Sequence, residues 1–204
     1  MTIFIILITC GLSIYGFSNP YFVEKYIFNP YKINRDKEYY RFISYGFFHA
    51  DPMHLGFNMI SLYFIGSYVE MIFAPSFVYV LFYILALIVS TIPDFIKNKN
   101  NPYYSALGAS GAVSAALFAL LLLSPWGKVY VFFAIPIPFI IYAVLFLYFS
   151  FKMSKKNIDN IGHLTHLTGA IFGIVASILW VPDILPDFIQ LLINPPSLAE
   201  FFQS

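Results

Sequence analysis

The chain of 204 residues consists mainly of apolar side chains and carries little charge. Hydrophobic residues make up 60% of it, charged residues make up 10%, and the formal net charge is +1. One soluble core cannot hold that much apolar surface, so the composition predicts a polytopic membrane protein surrounded by a lipid bilayer. The near-zero charge argues against nucleic acid as a partner, and a single cysteine, Cys10, excludes an intrachain disulfide.

Apolar runs separated by polar segments each approach the ~20 residues that a helix needs to cross a bilayer. The predicted spans are residues 1–18, 53–73, 76–93, 108–124, 130–151 and 161–181. The expected fold class is therefore an all-α membrane protein, with residues 1–204 forming one bundle of six transmembrane helices. The segment 19–51 is rich in aromatic residues, which favours a structured element at the membrane interface. Residues 183–204 are expected outside or along the membrane.

The fourth span opens with Gly108-Ala109-Ser110-Gly111, which puts a hydroxyl between glycines at a helix start. Glycine lets the backbone approach a substrate closely, and the free N–H groups of a helix start face developing negative charge. Gly111, Ala115 and Ala119 follow at intervals of four, so one face of this helix is smooth. Small residues at such spacing are also typical of helices that merely pack closely, so this motif alone is weak evidence for a nucleophile.

The sixth span carries an imidazole within an apolar helix, and ionisable groups in membranes usually face the protein interior and have a function. His166, Gly169 and Gly173 lie at positions i, i+3 and i+7 and share one helical face. We expect this face to pack on the smooth face of span four and to bring His166 to Ser110. The imidazole can then accept the hydroxyl proton. No carboxylate lies deep in any span, which predicts a dyad instead of a triad.

The second span begins near two histidines and an asparagine. His54 and Asn58 are four residues apart, so an imidazole and an amide should point into the bundle from one helical face. Both side chains carry N–H donors of the kind that stabilise the oxyanion of a tetrahedral intermediate. The alternative for Asn58 is a hydrogen bond between helices that only holds the bundle together.

A metal site is the main alternative, because the four histidines lie in two short stretches. His49, His54, His163 and His166 are all possible ligands of zinc or iron. The His-Glu-x-x-His motif of zinc proteases is absent, and a metal site would leave Ser110 and its glycines without a purpose. We therefore expect no metal and no cofactor.

The three segments together resemble the rhomboid family of intramembrane serine proteases. Three family patterns occur in the family's order and spans: His-x4-His-x3-Asn, Gly-x-Ser-Gly and His-x2-Gly-x3-Gly. They fall at His49, His54 and Asn58, at Gly108 to Gly111, and at His166, Gly169 and Gly173. The resemblance covers nearly the whole chain and is to the minimal six-helix bacterial form.

The resemblance implies a role for each matched residue. Ser110 would be the nucleophile, His166 the general base and acid, and His54 with Asn58 the oxyanion hole. The residues expected to support the structure are His49, Glu70, Gly108, Gly111, Gly169 and Gly173. The implied reaction is hydrolysis of a peptide bond in or near the transmembrane helix of a single-pass membrane protein, with small residues preferred at the cut. A relative that only binds membrane clients should lack the serine or the histidine, and both are present.

Two positions depart from the family pattern. The Trp-Arg pair of the first loop is Tyr40-Arg41 here, and Ser114 stands where many members carry an aromatic ring that stacks on the catalytic histidine. The missing ring predicts weaker positioning of His166.

Two prolines lie within the fifth predicted span. Pro136 and Pro138 lack N–H donors and are expected to weaken that helix locally. Because the resemblance puts this helix near the lateral substrate entrance, a loosened gate and an ordinary packing kink are equally compatible with the prolines.

Charge and resemblance predict opposite membrane orientations. Ten of the eleven Lys and Arg residues lie in the first, third and fifth loops, and only Lys128 lies on the other side. The positive-inside rule places such loops in the cytoplasm, whereas the resemblance places them outside with the active site. We follow the family because the rule is statistical. The expected location is the bacterial inner or plasma membrane, as a multi-pass protein.

Overall fold

The computed structural model describes residues 1–131, 134–154 and 162–203, and within these ranges the chain is mainly helical. The helices are α1 (Thr2–Phe17), α2 (Pro20–Glu24), α3 (Pro30–Asp36), α4 (Arg41–Ser44), α5 (Pro52–Ile72), α6 (Ser76–Asn98), α7 (Ser110–Leu121), α8 (Phe139–Ser154), α9 (His163–Trp180), α10 (Ile184–Ile193) and α11 (Leu198–Gln203). A 3-10 turn covers Tyr45–Phe47. The strands β1 (Lys128–Val131) and β2 (Ile135–Pro138) pair antiparallel, with Lys128 opposite Pro138.

The helices α1, α5, α6, α7, α8 and α9 overlap the six predicted spans in order. Among the described residues, α5, α6 and α9 have both the length and the apolar composition of a helix that crosses a membrane. The other three are apolar but shorter, with 16 residues in α1 and in α8 and 12 in α7. Most of the basic stretch 152–160, which was predicted as the fifth loop, lies outside the described residues.

The third predicted span, 76–93, lies within a helix that extends beyond it. α6 continues to Asn98 through Pro93, and the Asp94 side chain is buried. Proline and charge are ordinarily helix-ending signals in an apolar run. Here the Asp94 carboxylate accepts a hydrogen bond from Thr165 on α9, which compensates the cost of burying it.

The fifth predicted span, 130–151, is wrong at its beginning, because β1 and β2 precede α8. Ile135 and Ile137 each precede a proline, and a proline ring disfavours the helical conformation of the residue before it. The Ile-Pro-Ile-Pro run is therefore extended. Pro136 and Pro138 lie in β2 and not in a helix, so neither the predicted gate nor the predicted kink exists at these prolines.

The segment 19–51 is structured, as its aromatic content predicts. Arg41 is buried and donates two hydrogen bonds to backbone carbonyls of the same segment, at 3.0 and 2.8 Å. Phe28 forms a β-bridge with Ala106, with both N–H···O distances at 3.0 Å. This bridge attaches the segment to the loop that leads into α7.

Backbone atoms of α7 and α9 lie in close contact. A Cβ atom on Gly169 would overlap the carbonyl of Gly111, and one on Gly173 would overlap the carbonyl of Ala115. Small residues allow this approach, and close packing is a main source of helix association in a membrane. The predicted contact between the two helices is confirmed.

The C-terminal residues form α10 and α11 beyond α9. The indole N–H of Trp126 donates to the carbonyl of Leu191 at 2.7 Å, which attaches α10 to the turn after α7. The expected location of residues 183–204 outside or along the membrane stays a prediction.

Alanine at Gly173 should destabilise the bundle, because its Cβ would meet the backbone of α7 and not a side chain that can rotate away. We expect a loss of about 1–3 kcal/mol in the free energy of unfolding, as for other overpacked cores. Thermal unfolding in detergent measures this. Gly11→Ala is the matched control, since open space surrounds Gly11 and alanine favours a helix. Equal unfolding temperatures for the two variants would contradict the close contact.

Candidate active site

Ser110 is the first residue of α7, and an unusual backbone conformation precedes it. Gly108 has a φ of +121°, which residues with a side chain rarely adopt. A Cβ atom there would also lie 2.6 Å from the imidazole of His54. The Gly108 N–H donates to the carbonyl of Tyr45 at 3.1 Å, which fixes the turn. Glycine is therefore required here both for the turn and for the approach of His54.

The hydroxyl of Ser110 and the imidazole of His166 are joined by a hydrogen bond, with 2.8 Å between Oγ and Nε2. His166 lies one turn before Gly169 on the face that packs against α7, so the close packing of the helices brings the two residues together. An imidazole with its proton on Nδ1 can accept the hydroxyl hydrogen at Nε2, as a general base must. Within the described residues, no carboxylate bonds to Nδ1 of His166.

His54 and Asn58 share one face of α5, as predicted, but their contacts differ. The His54 imidazole lies beside Gly108 and packs edge to face on His49, with 4.9 Å between ring centroids. The Asn58 amide is buried and donates one N–H to the carbonyl of His54 at 2.9 Å. His54 is therefore adjacent to the serine motif, whereas the hydrogen bond of Asn58 lies within its own helix and leaves its second N–H for another acceptor.

His49 links α1 to the backbone at the start of α7. Its Nε2 accepts from the Ala109 N–H at 3.3 Å, so the proton is on Nδ1, which lies 3.0 Å from the Ser13 hydroxyl. That hydroxyl in turn donates to the carbonyl of Phe47 at 3.0 Å. Burial, with a smaller contribution from His54, lowers the pKa of His49 to about 3, so this imidazole is neutral at physiological pH.

Glu70 lies near the end of α5, about 24 Å along the helix from His54. Its carboxylate accepts from the backbone N–H and the hydroxyl of Thr2, at 3.0 and 3.1 Å. It also accepts from the hydroxyl of Ser76 at 3.2 Å. These bonds join α1 and the start of α6 to the end of α5, which is the local bracing that the resemblance implies.

A phenyl ring from α8 stacks on the imidazole of the dyad. The centroids of Phe146 and His166 are 6.0 Å apart, with 28° between the ring planes. Ser114, where the family pattern has a ring, is buried in α7 and carries none. Sequence analysis missed Phe146 because one phenylalanine among 24 gives no local signal, and the contact depends on how α8 packs.

A rhomboid domain model matches residues 36–183 of the chain. The chain belongs to the rhomboid family. The matched range contains His49 and the whole of α5 to α9, and therefore Ser110, His166, His54 and Asn58.

Two rhomboid relatives show how far the similarity extends. RHOMBOID-like protein 12, mitochondrial, from Arabidopsis thaliana is 28% identical over 179 residues, which is 78% of this chain and 52% of that protein. Rhomboid protease GluP from Bacillus subtilis (strain 168) is 34% identical over 139 residues, which is 68% of this chain and 26% of that protein. The chain thus spans 52% of the length of the first relative and 26% of the second.

A cavity of about 420 Å³ opens beside His166 in this rhomboid. Its walls come from the β-hairpin, α8 and the start of α9, and they are almost entirely apolar. The lining residues are Val131, Ile137, Tyr142, Leu145, Phe146, Phe149, Ser150, His163 and His166. A recess of this chemistry next to an imidazole can hold an apolar side chain.

The four histidines of this rhomboid form two pairs. His49 and His54 are 4.9 Å apart between ring centroids, and His163 and His166 are 6.1 Å apart. Among residues 1–131, 134–154 and 162–203, no three His, Cys, Asp or Glu side chains stand close enough to hold a metal ion. The absence of a metal and of a cofactor stays a prediction.

The stability of this rhomboid should decrease as pH falls below the ordinary histidine pKa. The fold holds His49 neutral with a pKa of about 3, whereas the unfolded chain binds a proton near 6.5. The stabilisation is therefore complete above pH 6.5 and is lost progressively toward pH 3. Thermal unfolding in detergent between pH 7 and pH 5 should show a shallower pH dependence for His49→Gln than for the wild type. Identical slopes would contradict a buried neutral His49.

Proposed function

We propose that this rhomboid is an intramembrane serine endopeptidase that hydrolyses a peptide bond in or near the transmembrane helix of a single-pass membrane protein. The observation that carries the proposal is the 2.8 Å hydrogen bond between Ser110 Oγ and His166 Nε2. Family membership supports it, since a relative with 34% identity is itself named a rhomboid protease.

In the proposed reaction, Ser110 Oγ attacks the carbonyl carbon of the scissile bond while His166 Nε2 accepts its proton. The imidazolium then gives this proton to the leaving amine. Water, deprotonated by the same imidazole, releases the acyl group from the serine. The negative charge of each tetrahedral intermediate needs donors aimed at it. The His54 imidazole, the second N–H of Asn58 and the backbone N–H of Ser110 are the proposed donors.

The length of α7 supports a reaction below the membrane surface. Its 12 residues span about 18 Å, whereas the hydrocarbon core of a bilayer is about 30 Å thick. With the end of α7 at one surface, Ser110 lies about 12 Å below the other surface. A substrate helix must unwind there, because helical carbonyls are already hydrogen-bonded.

The proposed topology has six crossings, three by full-length helices and three by the shorter α1, α7 and α8. The first, third and fifth loops lie on the outer face together with the dyad. The apolar recess beside His166 is the proposed site for a substrate side chain.

Removing either member of the dyad should abolish cleavage of a single-pass reporter substrate in liposomes. Ser110→Ala lacks the nucleophile and His166→Ala lacks the base, so each should lower kcat by at least about 10³-fold. A chelator should leave the wild type unaffected. Cleavage by Ser110→Ala, or inhibition by the chelator, would contradict the proposal and favour a metal site at the histidines. A wild type that binds the reporter without cutting it would favour a client-binding protein.

Shortening the ring that stacks on the base should slow turnover without preventing it. A stacked aromatic pair is worth about 0.5–1.5 kcal/mol, so Phe146→Leu should lower kcat by about two- to tenfold. Phe77→Leu is the control, because Phe77 lies in the first turn of α6 and is 71% exposed. Equal kcat values for Phe146→Leu and the wild type would show that the ring does not position His166.

A further inference from the structure

We propose that Asp94 is a positioning residue of this active site, which through Thr165 holds the first turn of α9, and with it His166, against the start of α7. The inference rests on the proposed function and adds to it a carboxylate outside the rhomboid patterns found in the sequence. Asp94 belongs to α6 and does not touch the imidazole.

The bond between Asp94 and Thr165 is short and buried. The distance from Oδ2 of Asp94 to Oγ1 of Thr165 is 2.7 Å, and each residue is only 6% exposed. A carboxylate hidden from water is costly unless donors compensate it, so loss of this hydroxyl would leave the carboxylate without its bonded donor on α9. Thr165 immediately precedes His166, so the position of α9 at the dyad depends on this bond.

The same threonine also contacts the residue after the nucleophile. A Cβ atom on Gly111 would lie 2.9 Å from the methyl carbon of Thr165 and would overlap the hydroxyl of Ser90. Ser90 and Asp94 are one turn apart on α6, so they share a face. The start of α7 is thus enclosed between α6 and α9, and the Asp94–Thr165 bond sets the spacing of those two helices around it.

Tyr104 provides a second connection from the same carboxylate. It lies in the loop between α6 and α7, and its hydroxyl interacts with Asp94. Burial, more than the neighbouring carboxylate, raises the pKa of this phenol above its ordinary value, so the hydroxyl stays protonated and available to donate. Asp94 therefore has a neighbour in the loop that leads to Ser110 as well as in the turn that carries His166.

A Ser–His dyad has no carboxylate that orients its imidazole, and Asp94 supplies an indirect one. In a triad, a carboxylate bonded to Nδ1 orients the imidazole directly. Here a carboxylate bonds to the neighbouring residue and orients the helix turn. Displacement of a catalytic group by about 1 Å can lower a rate about a hundredfold. A small shift of the α9 backbone would therefore lower the reaction rate measurably.

The test compares two substitutions that remove different parts of Thr165. Thr165→Val keeps the shape and removes the hydroxyl, whereas Thr165→Ser keeps the hydroxyl and removes the methyl group. Thr9→Val is the control, because Thr9 is fully buried in α1 and its hydroxyl has no hydrogen-bond partner among the described residues. Each protein is assayed for its unfolding temperature, for the rate constant of Ser110 labelling by a fluorophosphonate, and for kcat and KM on a reporter substrate.

We expect Thr165→Val to stay folded, to be labelled about tenfold to a hundredfold more slowly and to lose kcat by a similar factor, with KM unchanged. The labelling rate and kcat of Asp94→Asn should lie between those of Thr165→Val and the wild type, since an amide oxygen still accepts a hydrogen bond from the hydroxyl. Thr165→Ser should recover most of the rate. Labelling of Thr165→Val at the wild-type rate, or an equal loss in Thr165→Ser, would overturn the inference. Failure of the proposed function is distinct, because then the wild type itself is neither labelled nor active, and both proposals fall.

Discussion

The contact between the backbones of α7 and α9 is the constraint on which the rest of the site depends. Gly169 and Gly173 have no side chain where they face α7, and the carbonyls of Gly111 and Ala115 fill that space. The four residues of this contact are glycines and an alanine, which have no charged or hydrogen-bonding side chain. The contact nevertheless brings together a hydroxyl and an imidazole that are 56 residues apart, at 2.8 Å. The dyad is thus a consequence of how closely two helices pack.

The backbone before Ser110 and the helix turn that carries His166 are each held by several contacts. Before Ser110, the N–H of Gly108 donates to the carbonyl of Tyr45 and the N–H of Ala109 donates to the imidazole of His49. His166 is held by packing against glycines and the Phe146 ring, and its helix turn is held by the hydrogen bond from Thr165 to Asp94. Hydrogen bonds are directional, so they fix the orientation of the backbone at Ser110.

Sequence reasoning succeeded where spacing alone decides the outcome. The intervals between His166, Gly169 and Gly173 define a helical face whatever surrounds it, and that face packs as expected. Hydropathy was less informative for the fifth span, because Ile and Val are apolar in a strand as much as in a helix. A hydropathy value also takes no account of the hydrogen-bond partner of a charged residue. For this reason the predicted span ends at residue 93 and leaves Asp94 in the loop. The stacking of Phe146 depends on the packing of α8, which no local pattern encodes.

The β-hairpin before α8 limits the backbone hydrogen bonds that an extended peptide can form beside the recess. The N–H of Phe139 donates to the carbonyl of Gly127, the residue just before β1. Ile135 and Ile137 lie four and two residues before Phe139, so their N–H groups face β1 as well. The positions that face the open edge are therefore Pro136 and Pro138, which have no N–H. This edge presents the two proline carbonyls but no N–H donor, so an extended peptide can donate hydrogen bonds to it and can accept none from it. A full β-ladder with an added strand is therefore excluded at these two prolines.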